Sequence, residues 1–506
     1  MANRLSPQII FNSSNLSDDL VQKSVRGGMY TISSQGVLFA IRIIGTVILA
    51  RLLTPNDYGL VGMVLVVIGF VEMFKDAGLS MATVQKAEIT HEQISTLFWL
   101  NVLISVLLGL CVLLSAPLLA WFYGKPELAS ITIVLSFSFI ISGLTIQHQA
   151  LQRRHMRFGA LAFIQIASQA FSLVVMIGLA YFGWNYWALV VGVLASTITG
   201  TLLTFFFCPW LPCWLQKGTG VRTMLKFGGH LTGFSFINYF ARNFDNILIG
   251  KFIGAEALGI YSRAYELLML PITMLSGPIS NVAVPTLSRL NEDRARLHKY
   301  YLHILYMLSL IAGPIVGIAF LASNDIVLIL LGPKWLPVSD VFKYLAIGGL
   351  LQPLYNTQSW LHLAVGRSDR VLIWGLIGTP VIIASFLIGL FWGINGVAFC
   401  YSMAIVITTV GSLTYAGRSA DLPFRNMVSV VGRPILSCVV AVFVVATLSI
   451  FIKNQSHVAS LLLKSVGFVV FYCSFLLIMY NGYKPIHDLI AIRNLLSTDK
   501  EKFKHE

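Results

Sequence analysis

Apolar residues in this chain run in long unbroken stretches separated by short polar segments. Fourteen stretches stand out, at 29–50, 58–75, 94–116, 129–151, 159–182, 186–207, 229–250, 262–284, 300–322, 340–364, 371–391, 396–416, 433–452 and 461–481. A helix rising 1.5 Å per residue needs about 20 residues to cross a ~30 Å hydrocarbon core, which each stretch approaches or exceeds. Only helices and closed barrels satisfy the backbone there, and these runs lack the period-two alternation of barrel strands. The pattern predicts an all-α, polytopic membrane protein with about fourteen transmembrane helices. The connecting segments are at most about 20 residues long, too short for a separate catalytic or nucleotide-binding domain.

Composition agrees. Hydrophobic residues make up 57% of the 506 and charged residues 11%, against about 25% charged in soluble domains. The net charge of +14 resides in short loops, as topology signals do, so nucleic acid is excluded as a partner. Of the Lys and Arg residues, 25 fall on one side, including Arg153, Arg154 and Arg157, 6 on the other and 4 within spans. The rich side is cytoplasmic, which puts both termini inside, requires an even number of spans and fits a bacterial inner (plasma) membrane. Trp121, Phe122, Tyr123, Trp184, Tyr186, Trp187, Trp335 and Trp392 at outer ends, with Trp210 and Trp214 at an inner end, are expected as interface anchors.

The first 28 residues carry Asp18 and Asp19 and no continuous apolar core, unlike a signal peptide; Ser17-Asp18-Asp19 reads as a helix N-cap. The six cysteines lack the spacing and nearby histidine of a zinc site and read as free thiols. Shifting the chain by 200 residues lays Gly28 on Gly228, Arg42 on Arg242, Arg51 on Lys251 and Gly59 on Gly259. Both segments open six-span blocks, which predicts two bundles related by an axis along the membrane normal. The expected organisation is a cytoplasmic tail (1–28), a six-helix bundle (29–207), a cytoplasmic linker (208–228), a second bundle (229–416), an appended helix pair (417–481) and a basic cytoplasmic tail (482–506).

A charge at the centre of a membrane helix costs about 2.5–3.5 kcal/mol on insertion scales, so charges within the spans are informative. Arg42 lies near mid-depth of the first span and Arg242 at the equivalent place in the seventh. Both are candidates to face a water-filled cavity and bind an anion, since a guanidinium stays charged and its fork holds two phosphate oxygens. For Arg242 the alternative is a local pair with Asp245, one turn away. Asp245 and Glu266 are candidates for coupling to Na⁺ or H⁺. Glu72, Lys75 and Asp76 are spaced either to neutralise one another at a helix end or to form a cytoplasmic gate. His148, His303 and His362 read as polar contacts or interface residues. No paired-carboxylate, nucleophile-elbow or metal-ligand pattern is present, so no enzyme and no bound cofactor is expected.

The run Ile48-Leu49-Ala50-Arg51-Leu52-Leu53-Thr54-Pro55-Asn56-Asp57-Tyr58-Gly59-Leu60 resembles the signature after the first helix of polysaccharide transporters, the Wzx-type flippases. Asp76-Ala77-Gly78-Leu79-Ser80, Thr83-Val84-Gln85-Lys86 and residues 90–101 resemble the branch that includes colanic-acid exporters. Leu258-Gly259-Ile260-Tyr261-Ser262-Arg263-Ala264 resembles the second-half signature. The resemblance implies the fold of the multidrug/oligosaccharidyl-lipid/polysaccharide superfamily, two six-helix bundles in a V with a terminal pair. It implies alternating access and an undecaprenyl-pyrophosphate-linked oligosaccharide as substrate, moved to the periplasmic leaflet for lipopolysaccharide or exopolysaccharide assembly. Membrane lipids and a polysaccharide polymerase complex are the implied partners. A drug or organic-cation antiporter on the same fold is the alternative, and would carry an anionic, aromatic cavity. A glycan polymerase or ligase would carry a long periplasmic loop, which the chain lacks.

Overall fold

The computed structural model describes residues 20–76, 78–86, 89–214, 239, 243–450 and 455–480. Arg242, the N-terminal cap at Ser17–Asp19, most of the 208–228 linker, part of the seventh span and the tail from 482 lie outside them. Among the described residues every regular element is helical, and nine stretches are long and apolar enough to cross a membrane, ten if one bent pair counts as a single span. One of the nine, Ser368–Ser419, is two helices folded back on each other at Gly393, whose φ is +70°. The close approach of Gly389 to Gly396 and Val397 closes this hairpin.

The chain divides into two compact units, Met1–Ser262 and Arg263–Glu506. The first holds α1 (Leu20–Leu52), α2 (Pro55–Glu72), α3 (Leu79–Gln85), α4 (His91–Tyr123), α5 (Glu127–Gly143), α6 (Ile146–Arg154), α7 (Phe158–Tyr181), α8 (Tyr186–Phe207), α9 (243–252) and the start of α10 (Ala255–Arg289). The sequence places a break between α1 and α2 by chemistry. Thr54 accepts the Asp57 amide through its hydroxyl at 3.3 Å, while the Asp57 carboxylate accepts the Thr54 amide at 2.9 Å and hydroxyl at 2.7 Å. With Pro55 at the first helical position, this is a capping box that ends one helix and starts the next.

Gly59 and Gly259 meet at a reciprocal crossing. A Cβ on Gly59 would stand 1.7 Å from the Ala255 carbonyl oxygen, and one on Gly259 would stand 1.9 Å from the Pro55 carbonyl oxygen. Both contacts are backbone to backbone, the close approach that small residues permit between membrane helices. The partners obey the offset of 200, so that Pro55 and Ala255 exchange places along with the two glycines.

The span expected at 129–151 is broken in the structure. α5 ends at Gly143, and α6 leaves it at a bend of 40°. The cause is polar: Gln147, His148 and Gln152 of α6 are all fully buried. Two of them find partners on other segments, with the Thr83 hydroxyl of α3 donating to Gln147 at 2.8 Å and His148 Nε2 lying 3.0 Å from the Trp210 carbonyl. Trp210 is therefore buried among the rings of Phe98, His91 and His148 rather than anchored at the interface. Trp335 is fully buried and Tyr123 nearly so, again contrary to the expected anchors. Trp121, Trp184, Trp214 and Trp392 are exposed as expected.

The second unit holds the rest of α10, then α11 (Arg294–Leu321), α12 (Ser323–Leu330), α13 (Val338–Gly349), α14 (Gln352–Ala364), α15 (Ser368–Gly389), α16 (Gly393–Ser419), α17 (Phe424–Ser449) and α18 (His457–Tyr480). The expected span 340–364 is likewise split, into α13 and α14. The last two helices pack on α11 through its small residues. Gly317 sits under Phe468 and Cys438, Gly313 under Tyr472, and the Tyr472 hydroxyl donates to the Leu310 carbonyl at 3.1 Å.

A polar clamp fastens α18 further. The buried Asp325 of α12 accepts from Lys464 at 2.7 Å and Ser460 at 2.9 Å, with His457 at 3.2 Å. Burial pushes the Asp325 carboxyl up, but Lys464, Ser460 and His457 together outweigh it and hold the group below its ordinary value. A carboxyl depressed in the folded state contributes stability above the unfolded pKa, and that stability is lost as pH falls through the folded one. Asp325→Asn is expected to lower unfolding stability by about 1.5–3 kcal/mol at neutral pH, the scale of hydrogen bonds to charged groups. In thermal unfolding in detergent, the gap between the two proteins should narrow as pH drops below the ordinary Asp value of 3.8. A gap that is constant with pH would remove the clamp's charge from the account.

Candidate functional site

Arg42 lies ten residues before the C-terminal end of α1, about 15 Å along the axis at 1.5 Å per residue. That is half of a ~30 Å core. The side chain is exposed, whereas Gly45, Thr46, Leu49 and Ala50 on the next two turns are buried, Gly45 against Leu173 of α7. Among the described residues Arg42 has no carboxylate partner. The structure thus places an exposed guanidinium about ten residues from the end of a membrane-length helix that is held by its other contacts.

Asp245 of α9 is buried. Its carboxylate accepts the Tyr261 hydroxyl at 3.0 Å and the Asn246 amide at 2.8 Å. No cation pairs with it among the described residues. Arg242, its expected partner, lies outside the described residues. Glu266 carries an ion pair with Arg263 at 2.7 Å.

The cluster at the end of α2 separates into two devices. Glu72 and Lys75 pair at 2.7 Å, and Lys75 also donates to the Ser142 hydroxyl of α5 at 3.1 Å. Asp76 instead caps α3, accepting the Ser80 amide at 2.9 Å together with the Ser80 hydroxyl. His362 contacts the Ser419 hydroxyl at 3.0 Å, a polar contact like that of His148. All six cysteines are free thiols.

Three arrangements escape the sequence reading: the Asp325 clamp, the reciprocal glycine crossing and a basic, aromatic cavity on α11. Lys464 was visible as a charge in the last span, but its partner is 139 positions away. The glycine crossing was hinted at by the alignment of Gly59 with Gly259.

These features define a multi-pass helical membrane protein, and its fold is that of the flippases and multidrug exporters. It aligns with the lipid II flippase MurJ in an inward closed conformation at a TM-score of 0.69 and 15% identity, over 92% of this chain and all of that one. An inward-facing multidrug transporter of the MATE family aligns at a TM-score of 0.57 and 12% identity, over 75% of this chain and 94% of that one. Residues 48–340 match the family described as polysaccharide biosynthesis protein. The chain belongs to that family. It is 27% identical to the teichuronic acid biosynthesis protein TuaB of Bacillus subtilis, over 70% of this chain and 74% of that one. It is 25% identical to the lipopolysaccharide biosynthesis protein WzxC of Escherichia coli (77% and 80%) and 23% identical to the succinoglycan biosynthesis transport protein ExoT of Rhizobium meliloti (82% and 84%). ExoT is named as a transport protein, and the two solved structures are a flippase and a transporter.

The signature residues acquire physical roles. Thr54, Pro55 and Asp57 build the α2 cap, and Gly59 makes the crossing. Gly259 completes that crossing, Tyr261 holds Asp245, and Arg263 neutralises Glu266. The motif by which the family is recognised is joinery between helices.

Proposed function

We propose that the protein is a flippase that carries an undecaprenyl-pyrophosphate-linked oligosaccharide from the cytoplasmic to the periplasmic leaflet by alternating access. Fourteen spans, an even number, would put both termini on the cytoplasmic side, as the Lys and Arg bias of the loops implies. The observation that carries the reading is Arg42, a charge exposed at mid-depth without a carboxylate partner among the described residues. Facing lipid alone it would cost several kcal/mol, so its exposure supports a water-filled path. Burying an unpaired pyrophosphate in hydrocarbon is prohibitive, and Arg42, joined by Arg242, would supply the countercharge while the polyprenyl chain stays in lipid. Asp245, buried without a cation among the described residues, would be a site of coupling to an H⁺ or Na⁺ gradient. Glu266 and the Glu72–Lys75 pair would be, respectively, a second coupling group and part of a cytoplasmic gate. A polysaccharide polymerase would take the product.

In everted membrane vesicles the cytoplasmic leaflet faces out. Vesicles containing the protein should render an added undecaprenyl-pyrophosphate oligosaccharide resistant to external glycosidase, and vesicles lacking it should not. Transport of an organic cation with no protection of the glycan would replace this reading with the antiporter.

A further inference from the structure

A cavity of about 610 Å³ opens in the second unit where the start of α11, the first turns of α17 and the end of α18 come together. That volume is in the range of small-molecule sites, ~300–1,000 Å³. Arg296, Lys299, His303 and Tyr306 line it from one stripe of α11, at the spacing i, i+3, i+7 and i+10 that keeps side chains on one helix face. Tyr480 of α18 closes it, with the Arg433 guanidinium 4.9 Å from its ring centre. Arg296 is partly neutralised by Asp293 at 3.1 Å. Lys299 and Arg433 are exposed and have no carboxylate partner among the described residues.

The surroundings of the cavity are apolar in one direction. Below Arg433 on α17, Leu436, Val440 and Phe443 continue the same stripe, with Leu436 and Phe443 exposed. A ligand here meets cations and aromatic rings at one end and a greasy track at the other. Tyrosine rings with a polar tip are at home at that depth of a membrane, and basic pockets between membrane helices bind anionic lipid headgroups.

We infer that this cavity is a site for an anionic phospholipid, its headgroup phosphate between Lys299 and Arg433 and an acyl chain along the Leu436–Phe443 track. Its occupant is a resident lipid rather than the transported glycan lipid, and the site is independent of Arg42. Each Lys or Arg beside a headgroup contributes about 1 kcal/mol, or roughly fivefold in affinity.

The test is native mass spectrometry of the purified full-length protein titrated with phosphatidylglycerol, phosphatidylcholine or undecaprenyl pyrophosphate. The wild type should retain phosphatidylglycerol at least tenfold more tightly than phosphatidylcholine. Lys299→Gln with Arg433→Gln should lose about 25-fold of the phosphatidylglycerol affinity, while size-exclusion profile and thermal unfolding remain those of a folded protein. If that pair unfolds the protein, Lys299→Gln alone should lose about fivefold. Equal retention of the two phospholipids, or unchanged phosphatidylglycerol affinity in the folded variant, would overturn the site. Displacement of phosphatidylglycerol by equimolar undecaprenyl pyrophosphate, with undecaprenyl pyrophosphate binding itself lost in the paired substitution, would assign the cavity to the carrier lipid and overturn the resident-lipid inference. None of these outcomes depends on whether the protein transports glycan.

Discussion

Replacing Arg42 and Arg242 together with alanine is expected to abolish glycan export while leaving the protein inserted and abundant. Each charge-assisted hydrogen bond contributes about 1.5–3 kcal/mol, or roughly 10- to 150-fold in affinity. Losing both guanidinium groups from a polyanion's path therefore leaves little activity. Arg42 is exposed and makes no ion pair in the described structure, so its removal strands no buried partner charge and should leave folding intact. Lysine at either position keeps the charge but loses the bidentate fork, and should retain partial function. Arg242 has a second account, neutralisation of Asp245. There, Arg242→Ala alone would harm the protein and Arg242→Ala with Asp245→Ala would recover it, because no buried charge is left unpaired. The measurement is polysaccharide export in a flippase-deleted strain, read beside the amount of protein in the membrane. Normal export by the double alanine variant at normal abundance would sink the anion-path reading.

The second large effect falls on folding. Gly59→Ala or Gly259→Ala puts a methyl within 2 Å of a main-chain oxygen, and no side-chain rotation can relieve a clash with backbone. The helices must separate by more than an ångström, forfeiting the close contact along their whole crossing. Overpacking of a core costs about 1–3 kcal/mol and occasionally more, and here the cost should lie at or above the top of that range. Because the contact is reciprocal, the two variants should be about equally damaged. Gly178→Ala, where nothing lies within 4 Å, is the control and should be neutral or slightly stabilising. Thermal unfolding in detergent and abundance in the membrane are the readouts; a Gly59→Ala protein as stable as the wild type would contradict the crossing.

Much of the helical fold was legible because lipid imposes a simple rule: runs of apolar residues long enough to cross must be helices. What was not legible follows from polar groups whose partners are distant in sequence. Gln147 and His148 could not be seen to bend the fourth span away from α5 until Thr83 and Trp210 were found beside them. Trp335 and Trp210 sit at loop positions where an interface anchor is expected, and only packing reveals them as core. In the candidate site, Arg42 stands out in the sequence only through the expected cost of a mid-membrane charge. The pairing of Glu266 with Arg263 needed only i, i+3 spacing, which was present and not used. The split of Glu72–Lys75 from Asp76 needed the direction of α3, which no local pattern encodes.

The arginines around α6 in the first unit have a consequence in time as well as in space. Arg154 donates to the Thr83 carbonyl at 3.0 Å and also to that of Lys86, and Arg157 donates to the Phe207 carbonyl at 3.1 Å. Trp99, Ser95 and His91 then bind the backbone of Cys213 and Leu211. On the expected topology these same arginines are orientation signals during synthesis, and they emerge before residues 207–213. The collar can close only once α8 has been inserted, so the charges that first hold loops on one side of the membrane later become donors that stitch those loops together. Insertion and folding of this unit are thus successive uses of one set of side chains, and an error in the first leaves the second without its donors.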